Sequence, residues 1–330
     1  MKTKGPNIVL LGGGTGSYEL LLGLKNITAN ITAVVNMCDN GGSTGVLRRD
    51  YGVLPPGDVR QCLVALSKNE TLAQSWNYRF AGGALSGHPL GNIILSGLEL
   101  KLGSFEKAVT VAGKMLDIHG AVLPVSTTKH QLILHDGSQE VYGQETVRLH
   151  KVRYPDEVRL SLAPATQLNP AARAAITEAD MVIIAPGGLY WTLVPLCLVE
   201  GVADALQQTK AKVVCVANLM NRPEQHLDWH VMEYVRELER YIGDGVINTV
   251  MYNTQPMPEH HQSRYALQGE MPVHTDAAGF EGAQADTVGA ALVADYIRSQ
   301  DPADQAIKRS HIRHDGQKVA TEIKKLLETW

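Results

Sequence analysis

Five short runs in this chain have almost no polar face. NIVLLG (7–12), NITAVVN (30–36), DMVIIAP (180–186), KVVCVAN (212–218) and VINTVMYN (246–253) string apolar residues together with little of the alternation of a half-exposed strand. Strands of this kind must be covered on both sides, and a parallel sheet with helices on each face does so. Helical patterns lie between and after them: Tyr18 to Lys25, Ala171 to Glu178, His226 to Ile242, and Gln317 to Glu328 with Ile323, Leu326 and Leu327 on one stripe. The alternation predicts an α/β fold, a doubly wound and mostly parallel Rossmann-like sheet.

At 330 residues the chain is long enough for two domains or for one large one. No repeat, low-complexity tract or Pro/Ser-rich linker divides it, so a single α/β domain over 1–330 is expected, with a helical and hairpin lobe inserted at about 70–165. That lobe holds helices around 91–102 and 105–116, a strand AVLPVS, and QLILHDGSQEVYG, where Asp136-Gly137 marks a tight turn. Between 255 and 315 the pattern is irregular: PMPEHHQ, a strand-like PVHTD and an Ala/Gly-rich stretch. A net charge of −4 gives no basic excess for a phosphate backbone, which argues against nucleic acid as partner. The four cysteines show no CxxC spacing, so neither a zinc knuckle nor a disulfide framework is indicated and a reducing cytoplasm fits. In MKTKGPNIVLLGGG the glycines cut the apolar run short, which reads as a strand rather than a signal peptide, and no run reaches the length of a membrane span.

Three of the strand-like runs end in glycine loops: GGGTGS (12–17), CDNGGSTG (38–45) and APGGLYWT (185–192). The first opens a helix, where backbone N–H groups and the helix dipole favour an anion. Ser17 stands where a dinucleotide fingerprint has glycine or alanine, and no Walker loop is present. In a parallel sheet the carboxyl ends of neighbouring strands share one ligand crevice, so the three loops would converge there. Asp39 would accept from ribose hydroxyls, hold magnesium against a diphosphate, or simply form an Asx turn with Asn40. Arg48, Arg49 and Arg60 would fork onto phosphates or pair with Asp50 and Asp58, and Asp58 would cap a helix starting at Val59. His88 in GHPLGN would touch either local backbone or ligand. His226 and His230 have an i, i+4 spacing without the glutamate or third ligand of a zinc site, and His260-His261 reads as solvated loop. No GxSxG and no spaced Cys/His pair supports nucleophilic catalysis; Asp39, as a holder of magnesium, is the catalytic candidate if the chain is an enzyme.

GGGTGS, DNGGSTGVLRRDYGVLPPGDVRQCLVAL, YRF, GHPLGN, PGGLY and ANLMNRP, in this order, resemble the YvcK group, the gluconeogenesis factors of the CofD-like (2-phospho-L-lactate transferase-like) superfamily. The likeness is dense from residue 7 to about 240 and looser beyond, through Tyr265 and IRHD at 312–315. It implies a cytoplasmic bacterial protein that binds nucleotide sugars such as UDP-N-acetylglucosamine and supports cell-envelope synthesis and cell shape on gluconeogenic carbon sources. By the same likeness Gly13, Gly14, Thr15 and Gly16 would cradle a diphosphate. Asp39 and Asn40 would line the metal or acceptor side; Arg48, Arg60, His88 and Asn92 stand beside these as ligand-binding candidates. Gly187 and Gly188 would form the third loop, Asn218 would meet base or sugar, Tyr265 would stack, and Arg313 would reach phosphate. The group usually carries GPGSLYTS where this chain has APGGLYWT, so a hydroxyl is lost at Gly188 and a bulky Trp191 gained. Related CofD enzymes are magnesium-dependent transferases that move a phospholactyl group from a nucleoside diphosphate carrier to a deazaflavin.

The expected function is a non-enzymatic nucleotide-sugar-binding regulator. Its alternatives are a magnesium-dependent CofD-like transferase and an NAD-dependent oxidoreductase. No motif requires a cofactor; magnesium at Asp39 comes with the resemblance, and a homodimer is left open.

Overall fold

The five apolar runs become five neighbouring strands. The structure, a computed structural model, describes residues 5–153, 157–223, 228–257, 265, 269–296 and 312–329. Strands β1 (Ile8–Gly12) and β2 (Ile31–Val35) flank helix α1 (Gly14–Leu24). Five helices follow before the next strand: α2 (Gly42–Tyr51), α3 (Pro56–Leu66), α4 (Glu70–Asn77), α5 (Leu90–Leu102) and α6 (Phe105–Met115). Then come β3 (Ala121–Pro124), β4 (Gln131–Asp136), β5 (Gln139–Tyr142), α7 (Gln144–Leu149), β6 (Arg159–Ala163) and α8 (Pro170–Thr177). β7 (Met181–Ile184) leads through a π-helical turn at Leu189–Leu193 into α9 (Val194–Cys197) and α10 (Val202–Gln208). β8 (Lys212–Val216), β9 (Met220–Asn221), α11 (Val231–Ile242), β10 (Thr249–Asn253), β11 (Met271–Pro272), β12 (Asp286–Ala290) and α12 (Gly316–Thr329) complete the order.

The main sheet runs β12-β10-β8-β7-β1-β2-β3, and every pairing in it is parallel. All residues of β1 and β7 are buried, as strands covered on both faces must be. The chain proceeds from β1 outward to β2 and β3, then returns to the other side of β1 as β7. β1 and β7 therefore flank the switch point, where the connections leave in opposite directions and open a crevice at the strands' carboxyl ends.

Two features depart from the expected layout. AVLP, within 70–165, is β3, the edge of the main sheet beside β2, so helices α4–α6 precede it and an antiparallel sheet β5-β4-β6 follows it. The hairpin loop is Gly137-Ser138, one residue later than Asp-Gly, with Gly137 at φ +60° as the first position of a two-residue turn. α11 starts at Val231 rather than His226 because His230 caps it: His230 Nδ1 accepts from Met232 N (3.1 Å) and Glu233 accepts from His230 N (2.6 Å). His226 and His260-His261 lie outside the described residues. A second apolar cluster, Leu219, Met257, Tyr265, Val293 and Ile312, sits beside the main core.

Candidate functional site

The three glycine loops meet in one cavity at the switch point. Gly13–Gly16, Gly41–Thr44 and Pro186–Gly188 line it, joined by Gly57–Asp58 from α3, Gln144, Glu145 and Arg148 from α7, and Asn218–Met220 and Ile312–His314 from the far side. Gly13 precedes α1 in an extended conformation, and neither it nor Gly41 before α2 has a side chain to cap its helix. Two helix N-termini thus present first-turn N–H groups to the same space, an arrangement that favours an anion. Ser17, buried, donates to Gly13 O (3.4 Å) and fills the place a fingerprint glycine would leave bare.

The glycines here are demanded by close approach. A Cβ on Gly16 would lie 1.9 Å from Pro186 O, and one on Gly13 would lie 2.4 Å from Asp58 Oδ2. Asp58 does not cap a helix at Val59; α3 begins at Pro56, and the Asp58 carboxylate rests over Gly13 and Gly14. Asp39 Oδ1 accepts from Gly41 N (3.0 Å), the Asx turn among its readings, and Thr44 also bonds its carboxylate. Burial raises the Asp39 pKa, against the pull of Gly41, Thr44 and Arg48, and nearby Glu145 raises it further.

A polar chain supports the wall opposite the third loop. Arg60 Nε donates to Asn92 Oδ1 (3.0 Å) and its Nη1 to Asn77. Asn92 Nδ2 donates to Ser43 Oγ (3.1 Å), and Ser43 Oγ lies 2.8 Å from His88 Nδ1. Burial and the neighbouring Arg79 lower the His88 pKa, which favours the neutral ring.

Of the expected site residues, Gly13, Gly14, Thr15, Gly16, Asp39, Arg60, Asn92, Gly187, Gly188, Asn218 and Arg313 come together in the cavity wall. Four do not line it. Arg48 is spent on carbonyls, donating to Asp39 O (2.6 Å), Cys38 O (3.2 Å) and His130 O (2.9 Å), so it clamps the second loop rather than meeting phosphate. Asn40 Oδ1 accepts from Glu145 N (2.8 Å) and ties α7 to that loop. His88 stands behind Ser43. Tyr265 is buried at 2% exposure with its hydroxyl accepting from Ile312 N (2.8 Å); it braces the segment carrying Arg313 and cannot stack on a ligand. Asn218 lines the cavity, but its amide is committed to Gly187, donating to O (2.9 Å) and accepting from N (3.0 Å). The residues missed in the sequence include Ser43, Thr44, Arg79, Glu145, Arg148, Arg222 and His314. Ser43 and Thr44 carried a signal as hydroxyls inside the second glycine loop, and Arg79, Arg222 and His314 stood in the motifs YRF, ANLMNRP and IRHD; Glu145 and Arg148 carried none.

The departure at the third loop has a geometric cause. A Cβ on Gly188 would lie 1.9 Å from Trp191 Cε2, so the indole occupies the space of a residue-188 side chain. A serine side chain at 188 and this indole cannot share that space. Among the described residues no three His, Cys, Asp or Glu side chains group to hold a metal ion, and no helix is long and apolar enough to cross a membrane.

Comparison with known proteins agrees with the fold. The sequence profile of the family described as 2-phospho-L-lactate transferase CofD matches residues 8–293. A Thermotoga maritima relative is 40% identical over 97% of this chain and 98% of its own length. The gluconeogenesis factor of Bacillus subtilis is 33% identical, covering 98% of each. A Bacillus halodurans crystal structure superposes with a TM-score of 0.87 at 30% identity, over 97% of this chain and 100% of that one.

Proposed function

The chain belongs to the CofD family, among its gluconeogenesis factors, and from that premise we propose that it is a cytoplasmic nucleotide-sugar-binding protein. Its ligand is a UDP-sugar such as UDP-N-acetylglucosamine, and its role is to regulate cell-envelope synthesis and cell shape on gluconeogenic carbon sources. One observation carries the reading: the N-termini of α1 and α2, whose cap positions Gly13 and Gly41 carry no side chain, open into a single cavity at the switch point. A diphosphate there leaves two arms for the rest of the ligand, one toward Arg60, Arg79 and Asn92, the other toward Leu219, Met220 and Ile312. About four charge-assisted hydrogen bonds at roughly 1.5–3 kcal/mol each, less association costs, correspond to an affinity on the order of micromolar. Calorimetric titration with UDP-N-acetylglucosamine, UDP, UMP and NAD tests it. The UDP-sugar is expected to bind tightest, and UMP or NAD binding equally well overturns the reading.

A second reading, a CofD-like transferase, is favoured by the carboxylates of Asp39 and Asp58 beside the phosphate cradle. Two hard oxygen donors are too few to enclose an ion but fit magnesium that shares its shell with phosphate oxygens. Asp39 and Asp58 would hold it, and when bound it supplies neutralisation of diphosphate charge during transfer. The protein's own part is to orient that diphosphate with the first-turn N–H groups of α1 and to hold a second substrate near Arg79 and Asn92. Magnesium titration of Asp39→Asn is expected to show no metal dependence of nucleotide binding; dependence equal to the wild type overturns it.

A further inference from the structure

One stretch beside the cavity stands clear of the fold. Residues 81–86 are exposed without a break, and a Cβ placed on Gly82, Gly83 or Gly87 would meet no atom within 4 Å. The stretch is the end of an arm whose roots are fixed. Leu90 N donates to Tyr78 O (2.8 Å), Phe80 N to His88 O (3.1 Å) and Gly87 N to Phe80 O (2.8 Å), and the Tyr78 and Phe80 rings meet edge to face at 5.3 Å. The tip is a unit of its own, a single helical turn at Gly83–Leu85 closed by Ser86 N donating to Gly83 O (3.1 Å). It carries Ala84 and Leu85, the latter 41% exposed and outside the core. Gly82 joins it to one root and Gly87, at φ +80°, to the other. A short turn between two glycines, with no neighbour to hold it, is built as a hinged flap.

Arg79 ties this flap to the cavity. Arg79 and Pro89, bridged to each other at the root, both line the cavity, and Arg79 Nη1 donates to Gly87 O (2.5 Å), across the hinge. An anion in the cavity competes with Gly87 O for that guanidinium, because arginine bonds a charged acceptor more strongly than a neutral carbonyl. Filling the cavity therefore loosens the hinge, leaving one bond, His88 N to Leu85 O (3.0 Å), to open as the tip moves. The five residues after Phe80 reach up to about 17 Å, more than the width of a sugar ring, and the root is already at the rim. We propose that residues 81–86 form a lid: an anionic ligand draws Arg79 from Gly87 O, and the freed turn folds down with Leu85 over the ligand, excluding water from its phosphates. The inference rests on the nucleotide reading above and adds a closing motion to it. Arg79 on phosphate and Leu85 on ligand are contacts made only in the closed form, so the ligand favours that form.

The test is thiol protection in the full chain. The four native cysteines are buried, so Ala84→Cys adds an accessible thiol at the tip, and Lys101→Cys, exposed on α5, is the control. Saturating UDP-N-acetylglucosamine should slow alkylation of Ala84→Cys by iodoacetamide about tenfold or more and leave Lys101→Cys unchanged. Adding Arg79→Gln should cut the protection to about threefold or less at ligand concentrations that calorimetry shows to saturate; undiminished protection refutes Arg79 as the trigger. Leu85→Ser should bind the ligand about three- to tenfold more weakly and melt with the wild type. Ligand that binds by calorimetry yet leaves Ala84→Cys as reactive as before refutes the lid alone. If UDP-N-acetylglucosamine, UDP, GDP and NAD all fail to bind, the nucleotide reading falls, and the lid with it. Protection that appears without ligand and grows with protein concentration assigns the tip to a second copy of the chain and also refutes the lid.

Discussion

The loops after β1 and β7 look alike in sequence, two glycine runs at adjacent strand ends, yet their glycines are required for different reasons. At Gly16 the obstacle to a side chain is backbone, the Pro186 carbonyl 1.9 Å from an ideal Cβ. At Gly188 it is a neighbouring side chain, the Trp191 indole at the same distance. Backbone at the junction of two strands cannot withdraw without moving the sheet, whereas a side chain can be exchanged together with its neighbour. The first loop is therefore fixed by geometry, whereas the third is open to a paired change.

Gly16→Ala tests the rigid side of this contrast and should have the largest effect. A loss of roughly 3 kcal/mol or more is expected by urea denaturation, together with loss of nucleotide binding. Near-normal stability would mean that the β1 and β7 loops separate easily and that the contrast is misplaced.

The segment Ile312–His314 adds a third wall, and its weakness is acid. His314 is buried, its Nε2 donating to Ala217 O (3.1 Å), and burial pushes its pKa down from 6.5 to about 4, with Arg313 adding to the shift. Because the folded state resists protonation, the unfolded chain binds more protons between those two values. This contribution is complete above pH 6.5 and is lost as pH falls toward 4, by at most about 3 kcal/mol. Denaturation curves across that range should show a shallower acid loss in His314→Asn than in wild type; parallel curves would exclude His314 as the cause.

Gly188→Ser should cost about 2 kcal/mol through its clash with the indole, and adding Trp191→Thr should recover most of it. A double-mutant cycle of melting curves measures the coupling, and additive effects would break the claim that the two positions change as a pair. The smallest effect belongs to Thr15→Ala at the phosphate cradle. It should weaken diphosphate ligands by about three- to tenfold and leave stability unchanged, which titration and a melt together check.

Much of the fold was readable because the relevant information is local. Continuous Val/Ile runs state that both faces of a strand are buried, and all five so identified lie in the main sheet. β12, DTVGA, was not readable, since an edge strand with exposed and half-exposed residues has no apolar run to show. Four-residue β3 was placed with the lobe because its length and neighbours carry no register. In the site, the glycines of all three loops were legible as breaks in strand and helix chemistry. The arginines were not: Arg60 faces the cavity and Arg48 does not, though both follow the same loop.

The glycine cradle and its place at a strand end follow from neighbours in the chain, because a glycine run between an apolar strand and a helix has few other conformations to adopt. Which charged and aromatic groups surround that cradle depended on contacts between distant segments. Arg48 is drawn away by the carbonyl of His130, 82 residues on, Tyr265 is buried by Ile312, and Trp191 enters the wall only because Gly188 leaves it room. A long side chain takes its direction from whichever partner the fold brings within reach, and that partner is not written beside it.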